Sequence, residues 1–220
     1  MSGPPGRGGG APHPLGALRR LAERPASVER CELCGAAIPP EHPHLLEVET
    51  RSLRCGCRAC GILFASEANG RWRLVPARVR LLRDFRLSDE VWESLLVPVG
   101  MAFFHRSTAA GRVVALYPSP AGATESLLTL EGWQALEAAN PVLRQLQPDV
   151  EALLVNRVGR PGTERAADHF IAPIDECFRL VGIIRSRWRG LSGGGEVWQA
   201  IEAFFSDLRG RAAVVEGGDA

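Results

Sequence analysis

From Ser88 onward the apolar positions alternate between helical and strand periods. Ser88 can cap a helix in SDEVWESLL, where Val91, Trp92, Leu95 and Leu96 share a face. VPVGMAFF and RVVALY read as strands, the second stopped at PSPAG, a cluster of turn-forming residues. Thr129 is placed to cap LEGWQALEAAN, which Pro141 prevents from continuing regularly, and VEALLV reads as a further strand. Two amphipathic helices follow. Ile174, Cys177, Phe178, Val181, Ile184 and Trp188 make the stripe of the first, and Val197, Ile201, Phe204, Phe205 and Leu208 that of the second, both at three-and-four spacing. RGLSGGG joins them, and VVEGGDA reads as a frayed tail.

Before Pro76 the pattern is different. A cysteine pair, a Pro-rich turn from Ile38 to Pro43, the strand-like HLLEVETR, a second cysteine cluster, then ILFA and RWRLV describe a small β module anchored by cysteines. Upstream, Leu15, Leu18 and Leu21 suit a short helix ended by Pro25, behind a Gly- and Pro-rich stretch too poor in apolar residues to fold. The expected organisation is a flexible tail over 1–27, a four-cysteine metal-binding ribbon over 28–76, an α+β domain over 77–210 and a tail over 211–220. The fold class is α+β: a small zinc-ribbon (rubredoxin-like) β module followed by a mixed domain ending in two amphipathic helices.

The cysteines bring in chemistry. Cys31-Glu-Leu-Cys34-Gly35 and Cys57-Arg-Ala-Cys60-Gly61 form two knuckles with 22 residues between them. Two thiolates three positions apart can face one ion, and a Gly after the second Cys suits the left-handed turn this spacing usually needs. A hairpin built from HLLEVETR would bring the two pairs together as a tetrahedron of sulfurs. Zinc is the expected ion and would be structural, since four protein thiolates leave no position for water or substrate. Iron in a rubredoxin-like site is the alternative, but the stretch between Cys31 and Leu63 has no aromatic residue to shield a redox centre. Cys55 is either a spare thiol or an exchangeable fifth donor.

Composition narrows the function classes. Of 220 residues 45% are hydrophobic and 23% charged, which fits a globular chain. The apolar runs are far shorter than a membrane span requires, and the opening residues lack the apolar stretch of an export signal, so no membrane partner and a cytoplasmic location are expected. All 26 basic residues are arginine, which excludes lysine-based phosphate loops and Schiff-base chemistry. The net charge is +1, but between Arg51 and Arg86 nine arginines face only Glu67 and Asp84, a local excess of 9 − 2 = +7. Arg71, Trp72, Arg73, Arg78 and Arg80 are the candidate partner-binding face, for an acidic protein or alternatively for nucleic acid.

Other motifs carry less. Gly190-Leu-Ser192-Gly-Gly194 matches a nucleophile elbow, but it follows a helical pattern and has no His after it, so it reads as a glycine connection. His105 reads as the cap of a core edge. Asp168, His169, Asp175 and Glu176 could form an acidic pocket, yet the last two open a helix, where carboxylates suit the dipole. Cys177 reads as a small hydrophobe. No catalytic residue is assigned.

The order CELCG, ETRSLRCGCRACGILF, VPVGMAFFHRSTAAGRVVALYPSPAGATES, DVEALLVNR and WRGLSGGGEVW resembles an uncharacterised bacterial family, a domain of unknown function, over about residues 28 to 210. Its members are encoded with high-affinity nickel-iron uptake hydrogenases. The resemblance implies an accessory role in assembly, small-subunit handling or electron delivery, with a hydrogenase subunit or maturation factor as partner. The function expected is thus a non-enzymatic metal-binding adaptor. A rubredoxin-like one-electron carrier and a nucleic-acid-binding ribbon protein are the alternatives.

Overall fold

The computed structural model describes residues 28–65, 70–126, 132–158 and 167–216. The expected helix near Leu15, Leu18 and Leu21, the whole tail over 1–27 and the cap at Thr129 lie outside them. Two sheets organise the rest. The smaller contains β1 (His44–Glu47), β2 (Ser52–Cys55) and β3 (Trp72–Leu74) in the antiparallel order β2-β1-β3. Between β2 and β3 runs α1 (Arg58–Ala65). ILFA, named within the expected β module, lies in this helix, which the second knuckle opens, so the module is not a plain β ribbon.

The larger sheet has seven strands in the order β10-β4-β9-β8-β5-β6-β7. They are β4 (Arg80–Arg83), β5 (Met101–Ser107), β6 (Arg112–Ser119), β7 (Gly122–Glu125), β8 (Glu151–Asn156), β9 (Asp168–Pro173) and β10 (Ala213–Glu216). All neighbours are antiparallel except β10 and β4. Pro118 does not end β6. The strand runs on to Ser119, and Pro120-Ala121 turns it into β7, with Ser119 paired to Gly122. Residues 213–216, expected as a tail, form a strand beside β4.

Helices cover both faces of this sheet. On one lie α4 (Ile174–Arg187) and α5 (Gly195–Arg211), with Cys177, Val181, Ile201 and Phe204 meeting Phe103, Leu154 and Phe170. On the other lie α2 (Asp89–Ser94), α3 (Trp133–Ala139) and a 3-10 turn over Pro141–Gln145, whose Trp92, Trp133 and Leu143 meet Phe104, Leu153 and Ile171. Consecutive residues therefore go to opposite cores, which is why GMAFF and EALLV are unbroken apolar runs. Phe103, Phe104, Leu153 and Leu154 are each 0% exposed, and each full burial contributes about 1.5–3 kcal/mol. Ser88 caps α2, its hydroxyl accepting from the Val91 N–H at 3.2 Å.

The cysteine module is fastened to the domain. Leu46 of β1 and Val75 belong to the same core as α4 and α5. The His44 Nδ1–H donates to Asp175 Oδ2 at 2.8 Å, Arg73 Nε lies 3.2 Å from Asp149 Oδ2, and Arg51 reaches Glu125 at 3.3 Å. No helix among the described residues is long and apolar enough to cross a membrane.

Candidate metal centre

The first knuckle is a tight turn. The Gly35 N–H donates to the Cys31 carbonyl and the Cys31 N–H to that of Ala36, both at 2.8 Å, while Gly35 takes a φ of 76°. Gly61 works differently from the expectation: it lies in α1 with its N–H on the Cys57 carbonyl. A Cβ there would make ordinary contact with Leu74 Cδ1 at 3.4 Å and with Pro43 at 3.6 Å, so the helix does not itself require glycine at this position.

The two turns converge. The ligand atoms of Cys31, Cys34, Cys57 and Cys60 all lie within 4.8 Å of one another, and Cys34 Sγ is 3.7 Å from Cys57 Sγ. Four sulfurs around a tetrahedral ion at about 2.3 Å stand roughly 3.8 Å apart, so the donor set fits a thiolate-bound metal. Backbone donors point the same way. The Cys60 N–H reaches Cys57 Sγ at 3.4 Å and holds the Cys57 thiol below its ordinary value. Burial pushes the Cys31 thiol up, but the N–H groups of Cys57, Leu33 and Cys34 outweigh it and bring it down to about 6. Burial and the other three sulfurs push Cys60 up to about 12. Four thiols so close thus resist ionising together, and a cation among them removes that conflict. Cys31 and Cys60 are buried and Cys34 is exposed. Phe64, one position past the stretch without aromatics, packs against the cluster and lies 6.4 Å from Trp72.

Cys55 is not one of the four. Its sulfur groups with His42 and His44, again within 4.8 Å. The alternation of β2 explains this: Cys55 is the last residue of the strand, directly opposite His44, and Gly56 turns the chain before Cys57 reaches the other cluster. A Cβ on Gly56 would lie 2.6 Å from Leu45 Cδ1, so glycine is needed there.

The arginine face is largely neutralised from within. Arg71 bonds Glu47 at 2.7 Å and stacks over Trp72, Arg73 meets Asp149, and Arg78 and Arg80 both reach Glu151 at 3.4 and 3.0 Å. Arg51, Arg54 and Arg83 also have carboxylate partners, so among the described residues seven of the nine arginines are paired. The acids are remote in sequence, which is why a local count overstated the field. Trp72 is buried rather than displayed.

The remaining candidates resolve as parts of the fold. Gly190 to Gly194 connects α4 to α5, with φ of 60°, 86° and 75° at Gly190, Gly193 and Gly194. His105 is buried in β5, and desolvation lowers its pKa. His169 stacks on Phe85, with burial first and Arg157 second bringing it down to about 4. Asp168 pairs with Arg209 and Glu176 with Arg179 and Arg211, so among the described residues no acidic pocket forms around His169. Cys177 is fully buried among apolar neighbours.

Residues 30–212 match a family of unknown function, DUF5947. The chain belongs to that family. The matched span takes in both cysteine knuckles and all but the last residues of the large sheet, so module and domain are one family unit. No curated protein and no solved structure matches the chain.

Proposed function

We propose that this member of DUF5947 is a non-enzymatic, metal-binding accessory protein that holds one structural zinc in Cys31, Cys34, Cys57 and Cys60. The convergence of four sulfurs carries the reading. A four-thiolate site has no open position for hydrolysis, and its ion stabilises the fold of the module that presents it. Zinc is favoured over iron because Cys34 is exposed, whereas a shuttling iron centre is better served by sulfurs shielded from water.

The partner we propose is an acidic surface on a nickel-iron hydrogenase component, in keeping with the family resemblance of the cysteine and PSPAGATES segments. It would be met by exposed arginines of the module and of the segment that follows it. Arg71 and Arg78 keep side chains 60% and 58% exposed alongside their internal acids, and Arg58 lies on the exposed start of α1. Metal content per chain and a visible spectrum test the metal. Colourless protein with one tightly held zinc per four-cysteine site supports the reading. One iron with a red, bleachable thiolate spectrum would replace it with an electron carrier. Salt-sensitive capture of a hydrogenase subunit, lost with Arg71→Glu and Arg78→Glu together, tests the partner.

A further inference from the structure

The geometry points to a second metal centre, built by His42, His44 and Cys55, that takes a late first-row divalent ion of the zinc class and keeps one coordination position open. One ring nitrogen of each histidine and the Cys55 sulfur lie within 4.8 Å of one another. Register puts them there: His44 and Cys55 are Cα partners across β1 and β2, so their side chains share a face, and His42 is two residues before His44, with the rings 4.9 Å apart.

The hydrogen bonds select the ligand atoms. The Nδ1–H of His42 donates to the Pro39 carbonyl at 2.9 Å, and that of His44 donates to Asp175 Oδ2 at 2.8 Å. Each ring therefore keeps Nε2 and its lone pair for an ion. The His42 side chain is only 6% exposed, and its Nε2 is buried without a hydrogen-bond partner. Such an orphan costs about 1–3 kcal/mol, so it calls for an explanation, and a cation bound at Nε2 supplies one. Asp175 gives His44 the outer carboxylate that metal-bound histidines usually have, fixing the tautomer and raising the basicity of the ligating nitrogen.

The donor set decides the ion. Two imidazoles and one thiolate suit zinc, copper or nickel and not the oxygen-seeking calcium or magnesium. An ideal tetrahedral ion places such donors roughly 3.3–3.6 Å apart, inside the 4.8 Å that bounds the three atoms here. Glu32 Oε2 accepts from the Cys55 N–H at 2.6 Å and Glu29 Oε2 lies 3.5 Å from His42 Nδ1, so two carboxylates flank the three donors. With three protein ligands the fourth position is open to water or to a donor from a partner. It has access to solvent, because His42, His44 and Asp175 line an open cleft of about 780 Å³ and Cys55 borders a smaller one of about 360 Å³. The site shares no ligand with the four-cysteine centre, so the two can fail separately.

Cobalt titration tests this on the full-length protein with the four-cysteine site already filled by zinc. The expected result is one further equivalent of cobalt, with four-coordinate d–d bands and the charge-transfer band of a single thiolate. Cys55→Ser and His42→Gln should each abolish that equivalent while the first zinc stays bound, which also serves as the check on folding. Asp175→Asn, outside the ligand set, should weaken cobalt binding by about 10–100-fold. Saturation without a second equivalent would overturn the inference. So would a second equivalent that survives both Cys55→Ser and His42→Gln, or loss of the first zinc on Cys55→Ser.

Discussion

Glu151 decides whether the arginines after the module serve the fold or a partner. Its side chain is 0% exposed and accepts from Arg80 at 3.0 Å, from Arg78 at 3.4 Å and from the Gln147 N–H at 3.0 Å. Glu151→Gln keeps the size and one acceptor oxygen but removes the charge. Arg80, whose side chain is 10% exposed, is then left as a buried guanidinium without a counter-ion. Breaking a buried pair costs about 3–5 kcal/mol, and the remaining amide oxygen places this case near 3. Arg78 is 58% exposed and stays hydrated, so Arg78→Ala should cost only about 0–1 kcal/mol. In a chain of this size each kcal/mol lowers the melting temperature by roughly 2–4 °C, giving a drop of about 6–12 °C for Glu151→Gln. Arg78→Ala should stay within about 4 °C of the parent on the same scale. Thermal unfolding of metal-saturated protein, followed by circular dichroism and tryptophan fluorescence, reads both. Glu151→Leu combined with Arg80→Met should recover most of the loss, because two apolar groups remove the desolvation cost. Equal effects of Glu151→Gln and Arg78→Ala, or a double variant less stable than Glu151→Gln alone, would refute the reasoning.

Cys34→Ser should release the structural ion and unfold the module around it, since metal binding in such sites supplies on the order of 10 kcal/mol or more; hydrogen exchange should lose protection in β1 and β2 but not in β5 and β8. Gly56→Ala forces a Cβ to within 2.6 Å of Leu45 Cδ1, and the overpacking should cost about 1–3 kcal/mol in urea unfolding. His169 is brought down to about 4, so as pH falls below about 6.5 the unfolded chain takes up the proton first. Its contribution is therefore present above about 6.5 and is lost as pH falls towards 4, by about 3 kcal/mol in all. His169→Phe keeps the stacking on Phe85 and should show a smaller drop in melting temperature between pH 7 and 5 than the parent. Ser88→Ala removes the cap of α2 and should cost about 1 kcal/mol, measured by the same melts.

The helices at Ile174 and Val197 were legible because a buried stripe on a 14- or 17-residue helix repeats several times. Both cysteine knuckles were legible because their spacing is itself the geometry. Short elements were not. RLLR in β4 and AVVE in β10 have too few residues to show a period, and only their pairing makes them strands. ILFA suits a strand by composition, yet Arg58 to Cys60 starts a helix that carries it along. The internal pairing of the arginines was not legible because Asp149 and Glu151 reach β3 and the segment around Arg78 and Arg80 only after the chain has folded back. His42 and His44 went unnoticed although one signal was present: a His-x-His placed to enter the same hairpin whose other strand ends in Cys55.

The position of β4 bears on how the chain is made. It is the first strand of the large sheet to leave the ribosome, yet both its neighbours, β9 and β10, come much later. From Arg83 to Pro173, where the first of these neighbours is complete, there are 173 − 83 = 90 residues, roughly 4–18 s of synthesis at usual rates. Throughout that interval the cysteine module is already synthesised through Val75 and can meet its ion, while β4 has no strand to pair with. Arg80 and Arg83 stand at its two ends. Charges so placed discourage edge-to-edge pairing with another nascent chain, so the two arginines guard the strand before Glu151 and Glu216 arrive to neutralise them.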